Sequence, residues 1–257
     1  MESTSAVAAS LTRVTANFRQ YLVGWGLQDR TEGDVEVFRS GLAQPQFNGV
    51  VRLRSLDGAE EAMATARERL AGVPWWWWVG PDSPAGTAEA LTGLGAVPLG
   101  PVPLMTRSLD RVDSGEEPSP EVKVEEIGHG ARLTELVRTY SASMGVSPDL
   151  EAQVVEAEES RPDNADIVRL AAVVDGQVVG TTVVIMAHQV AGLFIVHVAA
   201  SHRRRGIGGA LTQAALRAGQ ERGMRLAALG ASAMGEPLYR RFGFETVSHY
   251  HLFSGPA

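Results

Sequence analysis

The chain has no cysteine among its 257 residues, which excludes disulfide bonds, thiolate metal sites and a cysteine acyl-enzyme. It also lacks an excess of basic charge, because 30 acidic residues outnumber 23 lysines and arginines and the formal net charge is -7. Proteins that bind duplex nucleic acid spread positive charge over one face. We therefore expect no nucleic-acid partner.

Long apolar runs are absent as well. No stretch approaches the roughly 20 apolar residues that span a membrane. Residues 1–18 lack the basic region and apolar core of a secretory signal. We therefore expect a cytoplasmic protein with no membrane partner. Hydrophobic residues make up 44% of the chain, which suffices for the cores of one large or two modest domains.

The most informative segment that is present covers residues 196–209, with the sequence VHVAASHRRRGIGG. The run FIVHV predicts a buried strand, and residues 210–220 predict a helix. Glycines between them let backbone N–H groups approach an anion, and arginines add positive charge at the start of the helix. This pattern predicts a site for the pyrophosphate of a nucleotide-bearing cofactor, formed by Arg203, Arg204, Arg205, Gly206, Ile207, Gly208 and Gly209.

The spacing separates this segment from other phosphate-binding motifs. It is neither the dinucleotide fingerprint G-x-G-x-x-G nor a P-loop, since no Lys with a following Ser or Thr comes after Gly208. It reads Arg-x-x-Gly-x-Gly from Arg203 onward, with the strand residue Val198 five positions upstream. In this form it resembles the acetyl-coenzyme A loop of the GCN5-related N-acetyltransferases, the GNAT family.

A second motif lies downstream at the distance typical of the same family. Residues 224–229 predict a short strand, and residues 232–244 predict a helix closed by Gly243. The ending Leu-Tyr-x-x-x-Gly-Phe, from Leu238 to Phe244, is similar to that of GNAT members. The resemblance covers residues 122–257 and implies a catalytic GNAT domain that uses acetyl-CoA as cosubstrate and no metal.

The other elements of this half follow the GNAT order. Residues 111–121 (RVDSGEEPSPE) indicate a linker. Beyond it the sequence predicts a strand at 122–127, helices at 131–143 and 148–160, a hairpin at 168–185 that turns at Asp175 and Gly176, and a last strand near 249–253. We therefore expect an α+β fold with a mixed, largely antiparallel GNAT sheet flanked by helices.

The first half, residues 1–110, contains a partial repeat of the second. An ungapped offset of 148 lays Gly95 on Gly243, Gly58 on Gly206 and Val50 on Val198. The repeat predicts a strand, a helix, a strand and a helix, at 48–53, 58–70, 75–79 and 85–93. We interpret this half as a degenerate GNAT-like domain, and an unrelated α/β cap is the alternative.

At this offset the repeat has lost its phosphate chemistry. Glu60 and Glu61 would stand at the start of the helix, where like charges repel a pyrophosphate. We expect no coenzyme A in this half. The replacements at the key positions are Ser55 for Arg203, Glu60 for Gly208 and Leu91 for Tyr239.

Four consecutive tryptophans, Trp75 to Trp78, lie on one of the strands of this half. Alternate residues of a strand face opposite sides, so both sides would be covered here. This pattern favours a buried core or a domain interface over a platform on which a ligand stacks.

The family resemblance also assigns roles to single residues. The backbone N–H of Val196 would polarise the thioester carbonyl, and Val198 would pair with the pantetheine arm as an added strand does. Tyr239 is placed by its motif to protonate the departing thiolate as a general acid. The resemblance thus implies direct attack of a primary amine on acetyl-CoA in a ternary complex.

The general base stays open. Many relatives carry a carboxylate four residues before the position of Val196, where this chain has Gly192. His197 titrates near neutrality, but strand alternation places it opposite Val196, which favours a structural role. A water relay is another candidate. The last candidate is a carboxylate of an acidic helix, which either attracts a cationic amine or is simply a solvated helix face. The acidic residues of this helix are Asp149, Glu151, Glu156, Glu158 and Glu159.

The sequence leaves the acceptor open among polyamines, aminoglycosides, amino acids and protein N-termini, so the partner is a small-molecule or peptide amine. A homodimer is also left open. The alternative function is a non-catalytic acyl-CoA-binding or protein-interaction module. Gly192 in place of a carboxylate favours that module, whereas Tyr239 favours the enzyme.

Overall fold

The computed structural model describes residues 4–110 and 122–255, and the predicted linker at 111–121 lies outside them. The chain divides into two compact units. Unit 1 comprises Met1–Leu104, Ser160–Asp163 and Val247–Ala257, and unit 2 comprises Met105–Glu159 and Asn164–Thr246. The predicted domains, 1–110 and 122–257, stay a prediction, and the compact units differ from them in where residues 105–110, 160–163 and 247–257 belong.

None of the described helices is long and apolar enough to cross a membrane. In chain order the elements are α1 (Thr4–Val23), β1 (Asp29–Arg30), β2 (Val35–Arg39), β3 (Asn48–Leu53), α2 (Ala59–Arg69), β4 (Trp76–Val79), α3 (Thr87–Gly93), β5 (Val97–Ser108), β6 (Lys123–Ile127), α4 (Ala131–Met144), α5 (Glu151–Ser160), β7 (Ile167–Val174), β8 (Gln177–Ala187), β9 (Val190–Val198), α6 (Ile207–Glu221), β10 (Leu226–Gly230), α7 (Glu236–Arg241) and β11 (Glu245–Ser254).

Unit 1 is an α+β unit with a mixed sheet. β1 pairs antiparallel with β2 and β2 with β3, whereas β3 and β4 run parallel. The C-terminal strand β11 then pairs antiparallel with β4. The predicted strand–helix–strand–helix series corresponds to β3, α2, β4 and α3, while α1, β1 and β2 have no counterpart in the sequence analysis.

The tryptophans of β4 pack on both faces of the sheet of unit 1, where Trp77 is buried and Trp76 and Trp78 are half-buried. Trp77 is 0% exposed and belongs to the core that α2 and α3 cover. On the opposite face, Trp78 meets Phe18 and Tyr250 edge-on, and the Phe18 and Tyr250 rings stack with centroids 4.3 Å apart. The burial of Trp77 agrees with the buried-core interpretation, and the ring of Trp78 is in contact with two other aromatic rings.

Unit 2 has the predicted mixed, largely antiparallel sheet. β6, β7, β8 and β9 pair antiparallel in succession, and β10 pairs parallel with β9. The β7–β8 hairpin turns at Asp175 and Gly176, with φ of 50° and 79°, as the Asp-Gly signal predicts. The core lies between this sheet and α6, which contributes the fully buried Leu211, Ala215 and Leu216.

Residues 105–110 also belong to unit 2. Met105 and Leu109 are buried in its core, in the cluster that contains Phe244. The N–H of Leu109 donates to the carbonyl of Arg225 at 2.9 Å. The core of this unit is therefore completed by a segment that lies outside residues 122–257.

The predicted helix at 232–244 was too long. Helix α7 begins only at Glu236, with Gly235 as its N-cap. Ser232 forms a separate turn, because its carbonyl accepts the N–H groups of Gly235 and Glu236 at 3.0 and 2.9 Å. The C-terminal signal was correct, since Gly243 has φ 75°, a left-handed conformation that ends a helix.

Candidate functional site

Strand β9 carries a bulge near its end. Its pairing with β8 shifts register between Thr181 and Val183, so that Ile195 and Val196 together oppose a single residue of β8. Ile195 has φ 51°, and the hydroxyl of Thr181 donates to its carbonyl at 3.0 Å. The side chains of β8 therefore hold the backbone of β9 in a distorted conformation next to Val196.

Strands β9 and β10 separate beyond the bulge. Within the described structure their parallel pairing ends at Leu193 and Leu229. β9 continues to Val198 and there pairs with β8 alone. A gap therefore opens along the edge of β9, over residues 194–198.

The backbone of Val196 and Val198 faces this gap. The N–H of Ala199 donates to the carbonyl of Val179 on β8 at 2.8 Å. Adjacent residues of a strand direct their N–H and C=O groups to opposite edges, so the groups of Val198 point away from β8, and those of Val196 do likewise. The N–H groups along this free edge can pair with an extended chain that carries amide groups, while the carbonyl of Val198 already accepts a hydrogen bond from Arg203.

The loop at 199–206 leads from this gap into α6. Arg204 and Gly206 have left-handed φ of 62° and 78°. Gly206 is the N-cap of α6, no side chain caps the helix there, and the first turn contains no acidic residue. The first N–H groups of a helix have no partner within it, and the helix dipole is positive at this end. The start of α6 can therefore hold an anion.

The basic residues of the loop surround this helix start. Arg203, Arg204 and Arg205 are exposed. The Nε of Arg203 donates to the carbonyl of Val198 at 3.1 Å, so its side chain lies against the end of β9. Ile207 is buried and anchors the first residue of α6 in the core.

One of the three glycines, Gly208, has a packing role that the sequence analysis did not include. A Cβ on Gly208 would lie 3.3 Å from Cδ2 of Leu238, and one on Gly209 would lie 3.5 Å from Cζ of Phe242. Both contacts are with residues of, or directly after, α7. Gly208 thus lets α7 approach the start of α6, whereas the Cβ at Gly209 would be at ordinary van der Waals distance and Gly206 is required by the turn itself.

Tyr239 lies on α7 and is 7% exposed. Its neighbour Leu238 contacts the start of α6 at Gly208, and Val198 lies 4.0 Å from the same Cβ position. The structure therefore brings the helix that carries Tyr239 to the end of β9 and the start of α6. Burial raises the pKa of Tyr239 to about 12, so the hydroxyl stays protonated at neutral pH and is a hydrogen-bond donor.

The two candidate positions for a base on β9 differ in chemistry. Gly192 is buried and pairs with residues of both β8 and β10. His197 pairs with Thr181 and is half-buried, and burial, with a smaller effect of the Arg203 charge, lowers its pKa. Among the described residues, no group of three or more His, Asp and Glu side chains comes together as a metal site.

The acidic helix is less available than its composition indicates. Glu158 is 0% exposed and accepts hydrogen bonds from the hydroxyl of Tyr140 at 3.0 Å and from Nη2 of Arg169 at 2.6 Å. Glu151 accepts two hydrogen bonds from Arg138, which lower the pKa of Glu151. The remaining acidic residues of the predicted set, Asp149, Glu156 and Glu159, are exposed.

Sequence reasoning missed the residues that hold this geometry in place. Thr181 and Thr182 donate to carbonyls of β9, and Thr182 does so to Phe194 at 3.2 Å. Two adjacent buried threonines in an otherwise aliphatic strand were the available signal. Arg107, which donates from Nη1 to the carbonyl of Phe242 at 2.6 Å, gave no signal because 135 residues separate the two.

One family model and several solved structures of GNAT proteins are similar to this chain. Residues 167–246 match the model of the acetyltransferase (GNAT) domain. A GCN5-related N-acetyltransferase from Kribbella flavida is 20% identical, with a TM-score of 0.71 over 96% of each chain. A tandem GNAT protein from the clavulanic acid biosynthesis pathway is 15% identical, with a TM-score of 0.63 over 97% of each chain.

A GCN5-related N-acetyltransferase from Sphaerobacter thermophilus is 18% identical, with a TM-score of 0.64 over 86% of this chain and 75% of that one. No curated protein matches the chain. At such identities these likenesses show the fold. Because they extend over both units, the fold class is a GNAT sheet flanked by helices with a second, GNAT-like domain in the first half.

Proposed function

We propose that unit 2 transfers an acetyl group from acetyl-CoA to a primary amine, on the premise that residues 167–246 match the model of the acetyltransferase (GNAT) domain. The observation that carries this proposal is the gap beside Val196 and Val198, which leads directly to the uncapped start of α6. One ligand with an amide-bearing arm and a pyrophosphate fits both features.

In this proposal the two parts of acetyl-CoA bind to different backbone groups. The pantetheine arm pairs with Val198 along the free edge of β9. The pyrophosphate binds at the loop and at the start of α6, where exposed arginines supply charge-assisted hydrogen bonds. The residues assigned to the pyrophosphate are Arg203, Arg204, Arg205, Gly206, Ile207, Gly208 and Gly209.

The chemical step is a direct acyl transfer in a ternary complex. The amine nitrogen attacks the thioester carbonyl carbon, the C–S bond breaks, and coenzyme A leaves as thiolate. The N–H of Val196 donates to the carbonyl oxygen, where negative charge develops in the transition state. The bulge at Ile195 supports this role, because it turns the adjacent backbone toward the gap.

Tyr239 is assigned to the departing sulfur. A tyrosine whose pKa is about 12 is a weaker acid than a thiol with a reference pKa near 8.5. It therefore stabilises the developing thiolate by donating a hydrogen bond more readily than by complete proton transfer. This remains acid catalysis in the sense that the O–H group lowers the charge on sulfur in the transition state.

The proton that the amine loses is assigned to a water relay. Gly192 offers no carboxylate, and Glu151 and Glu158 are engaged by arginines. The absence of a strand carboxylate is also the observation that favours the alternative, a module that binds acyl-CoA without acetylating an amine.

The test is amine-dependent release of free coenzyme A thiol. Purified protein with acetyl-CoA is screened against polyamines, aminoglycosides, amino acids and short peptides with free N-termini, and acetylated product is identified by mass spectrometry. Thiol release that depends on one amine class supports the enzyme. Tight binding of acetyl-CoA without release for any amine contradicts it and favours the module.

A further inference from the structure

We propose that Arg107 is a positioning residue for Tyr239, supplied from outside the predicted catalytic domain of residues 122–257. The inference rests on the proposed function, in which Tyr239 donates to the leaving sulfur. It adds a residue to that site that neither GNAT motif of the sequence contains.

Helix α7 is too short to fix Tyr239 by itself. It has 6 residues, and an isolated helix of that length is not stable in water. Its N-cap, Gly235, makes no side-chain capping bond. The orientation of Tyr239 therefore depends on how the helix packs and how it ends.

The end of α7 is a Schellman turn built around Tyr239. Gly243 donates its N–H to the carbonyl of Arg240 at 3.0 Å, and Phe244 donates its N–H to the carbonyl of Tyr239 at 3.1 Å. The Phe244 ring then meets the Tyr239 ring edge-on, with centroids 5.9 Å apart. The backbone and the ring of Tyr239 are both held by the turn that follows the helix.

Arg107 binds this turn. Its Nη1 donates to the carbonyl of Phe242 at 2.6 Å, and its Cδ and Nε lie 3.8 Å from the Cβ position of Gly243. A positive charge at the C-terminal end of a helix is favourable, and a hydrogen bond from a guanidinium is stronger than a neutral one. The side chain of Arg107 thus holds the turn from one side while Phe244 holds Tyr239 from the other.

The backbone at Arg107 is itself well fixed. Met105 and Leu109 on either side are buried in the core of unit 2, and Leu109 donates its N–H to Arg225. Because Arg107 is anchored there, loss of its guanidinium should release the end of α7 and shift Tyr239 from its position. A displacement of about 1 Å at a reacting group can lower a rate by about 100-fold.

The experiment uses the full chain with Arg107→Met, which keeps an apolar stem and removes the donor. The first readout is the NMR signal of ζ-¹³C-labelled tyrosine, with the Tyr239 resonance assigned by its loss in Tyr239→Phe. We expect the Tyr239 signal to move or broaden while those of Tyr21, Tyr140 and Tyr250 stay in place. The second is turnover, for which we expect kcat to fall about tenfold and the Kd of acetyl-CoA to change less than twofold.

Two further variants distinguish positioning from general loss of stability. Arg107→Lys keeps a charged donor and should restore most of the Tyr239 signal and of kcat. Arg222→Met is the control, because Arg222, the C-cap residue of α6, likewise donates to a carbonyl at a helix end, that of Ala218, and otherwise binds Glu126. It should leave the Tyr239 signal and kcat unchanged.

A double variant tests whether Arg107 acts through Tyr239. In the Tyr239→Phe background, Arg107→Met should cause no further loss of kcat, and an additive loss would overturn the inference. An unchanged Tyr239 signal in Arg107→Met would overturn it as well. If the signal moves but the parent protein turns over no amine, the positioning of Tyr239 stands and the proposed acetyltransferase function fails.

Discussion

In both units a bulged strand leads into a helix and runs parallel to the strand that follows it: β3 enters α2 beside β4, and β9 enters α6 beside β10. The bulge of β3 lies opposite the step from Glu36 to Val37 of its partner β2, where the register shifts. The bulge of β9 lies opposite the step from Thr181 to Val183 of its partner β8. Because the two units share this backbone arrangement, their local differences indicate what a phosphate site requires.

The connecting loop differs in length, conformation and charge. It covers residues 199–206 in unit 2 and only residues 54–58 in unit 1. The N-cap Gly206 has φ 78°, whereas the N-cap Gly58 has φ −96°, outside the left-handed region. The first turn of α2 contains Glu60 and Glu61, and that of α6 contains no acidic residue. Unit 1 thus has neither the longer loop of unit 2 nor a helix start that is free of acidic residues.

This difference corrects the ungapped repeat. The offset of 148 fits the helices, since α2 begins at Ala59 and α6 at Ile207. It does not fit the strands, because β3 ends at Leu53 and β9 at Val198. Leu53, and not Val50, therefore stands at the place of Val198, and the shorter loop of unit 1 accounts for the shift.

The space between the parallel strands differs too. In unit 1 a charged network bridges the ends of β3 and β4: Asp82 accepts a hydrogen bond from Arg19, and its Oδ2 lies 3.9 Å from Nε of Arg52. Glu36 lies 3.5 Å from Arg52. In unit 2 the corresponding space is the gap next to Val196. Charged side chains thus bridge this space in unit 1, whereas in unit 2 the corresponding gap stays available to a ligand.

The largest effect is expected for Tyr239, with the buried Tyr250 of unit 1 as its comparison. Tyr239→Phe keeps the ring and should lower kcat by about 100-fold with little change in acetyl-CoA affinity, because only the donor to sulfur is lost. Tyr250→Phe in unit 1 is the control. The pKa of Tyr250 is also raised by burial, but its hydroxyl has no partner among the described residues, so kcat should not change. Full activity of Tyr239→Phe would reduce that residue to a packing role.

The next effect concerns the start of α6. Gly209→Asp places a carboxylate in the first turn, the charge that α2 already carries, and should weaken acetyl-CoA binding by at least about tenfold, or ~1.4 kcal/mol, in calorimetry. Gly209→Asn has the same shape without the charge and should cost much less. Equal losses would point to the contact with Phe242 instead of repulsion, and unchanged affinity in the Asp variant would refute the phosphate site.

The sequence predicted local elements well and long-range partners poorly. The Asp175–Gly176 hairpin and the strand–loop–helix of unit 2 follow from signals within a few residues. Helix α1 was missed because it has no acidic residue in its first turn and no basic residue in its last. The place of Leu109 in unit 2 and of β11 beside β4 depends on pairing between distant segments, which no local pattern contains.

A smaller effect is expected from pH, through His197. Burial lowers its pKa in the folded state below the unfolded value of about 6.5. The unfolded state then binds more protons as pH falls through 6.5, so the free energy of unfolding decreases toward acid. In unit 1 the matching place after the bulge is taken by Arg52, so the comparison concerns unit 2 alone. Urea unfolding at pH 8 and pH 5.5 should show a smaller decrease for His197→Gln than for the parent, and equal decreases would contradict this origin.

The smallest effect is expected from removing the two acidic charges at the start of α2. This change tests whether charge or loop length keeps acetyl-CoA out of unit 1. The parent chain should bind one acetyl-CoA in calorimetry, at unit 2. Glu60→Gln with Glu61→Gln removes the repulsion at the start of α2 and keeps side chains of the same size. If charge alone blocked unit 1, a second equivalent would bind. We expect the stoichiometry to stay at one, because the shorter loop and the ion pairs of Asp82 remain. A second equivalent would show that two carboxylates, and not the loop, separate the units.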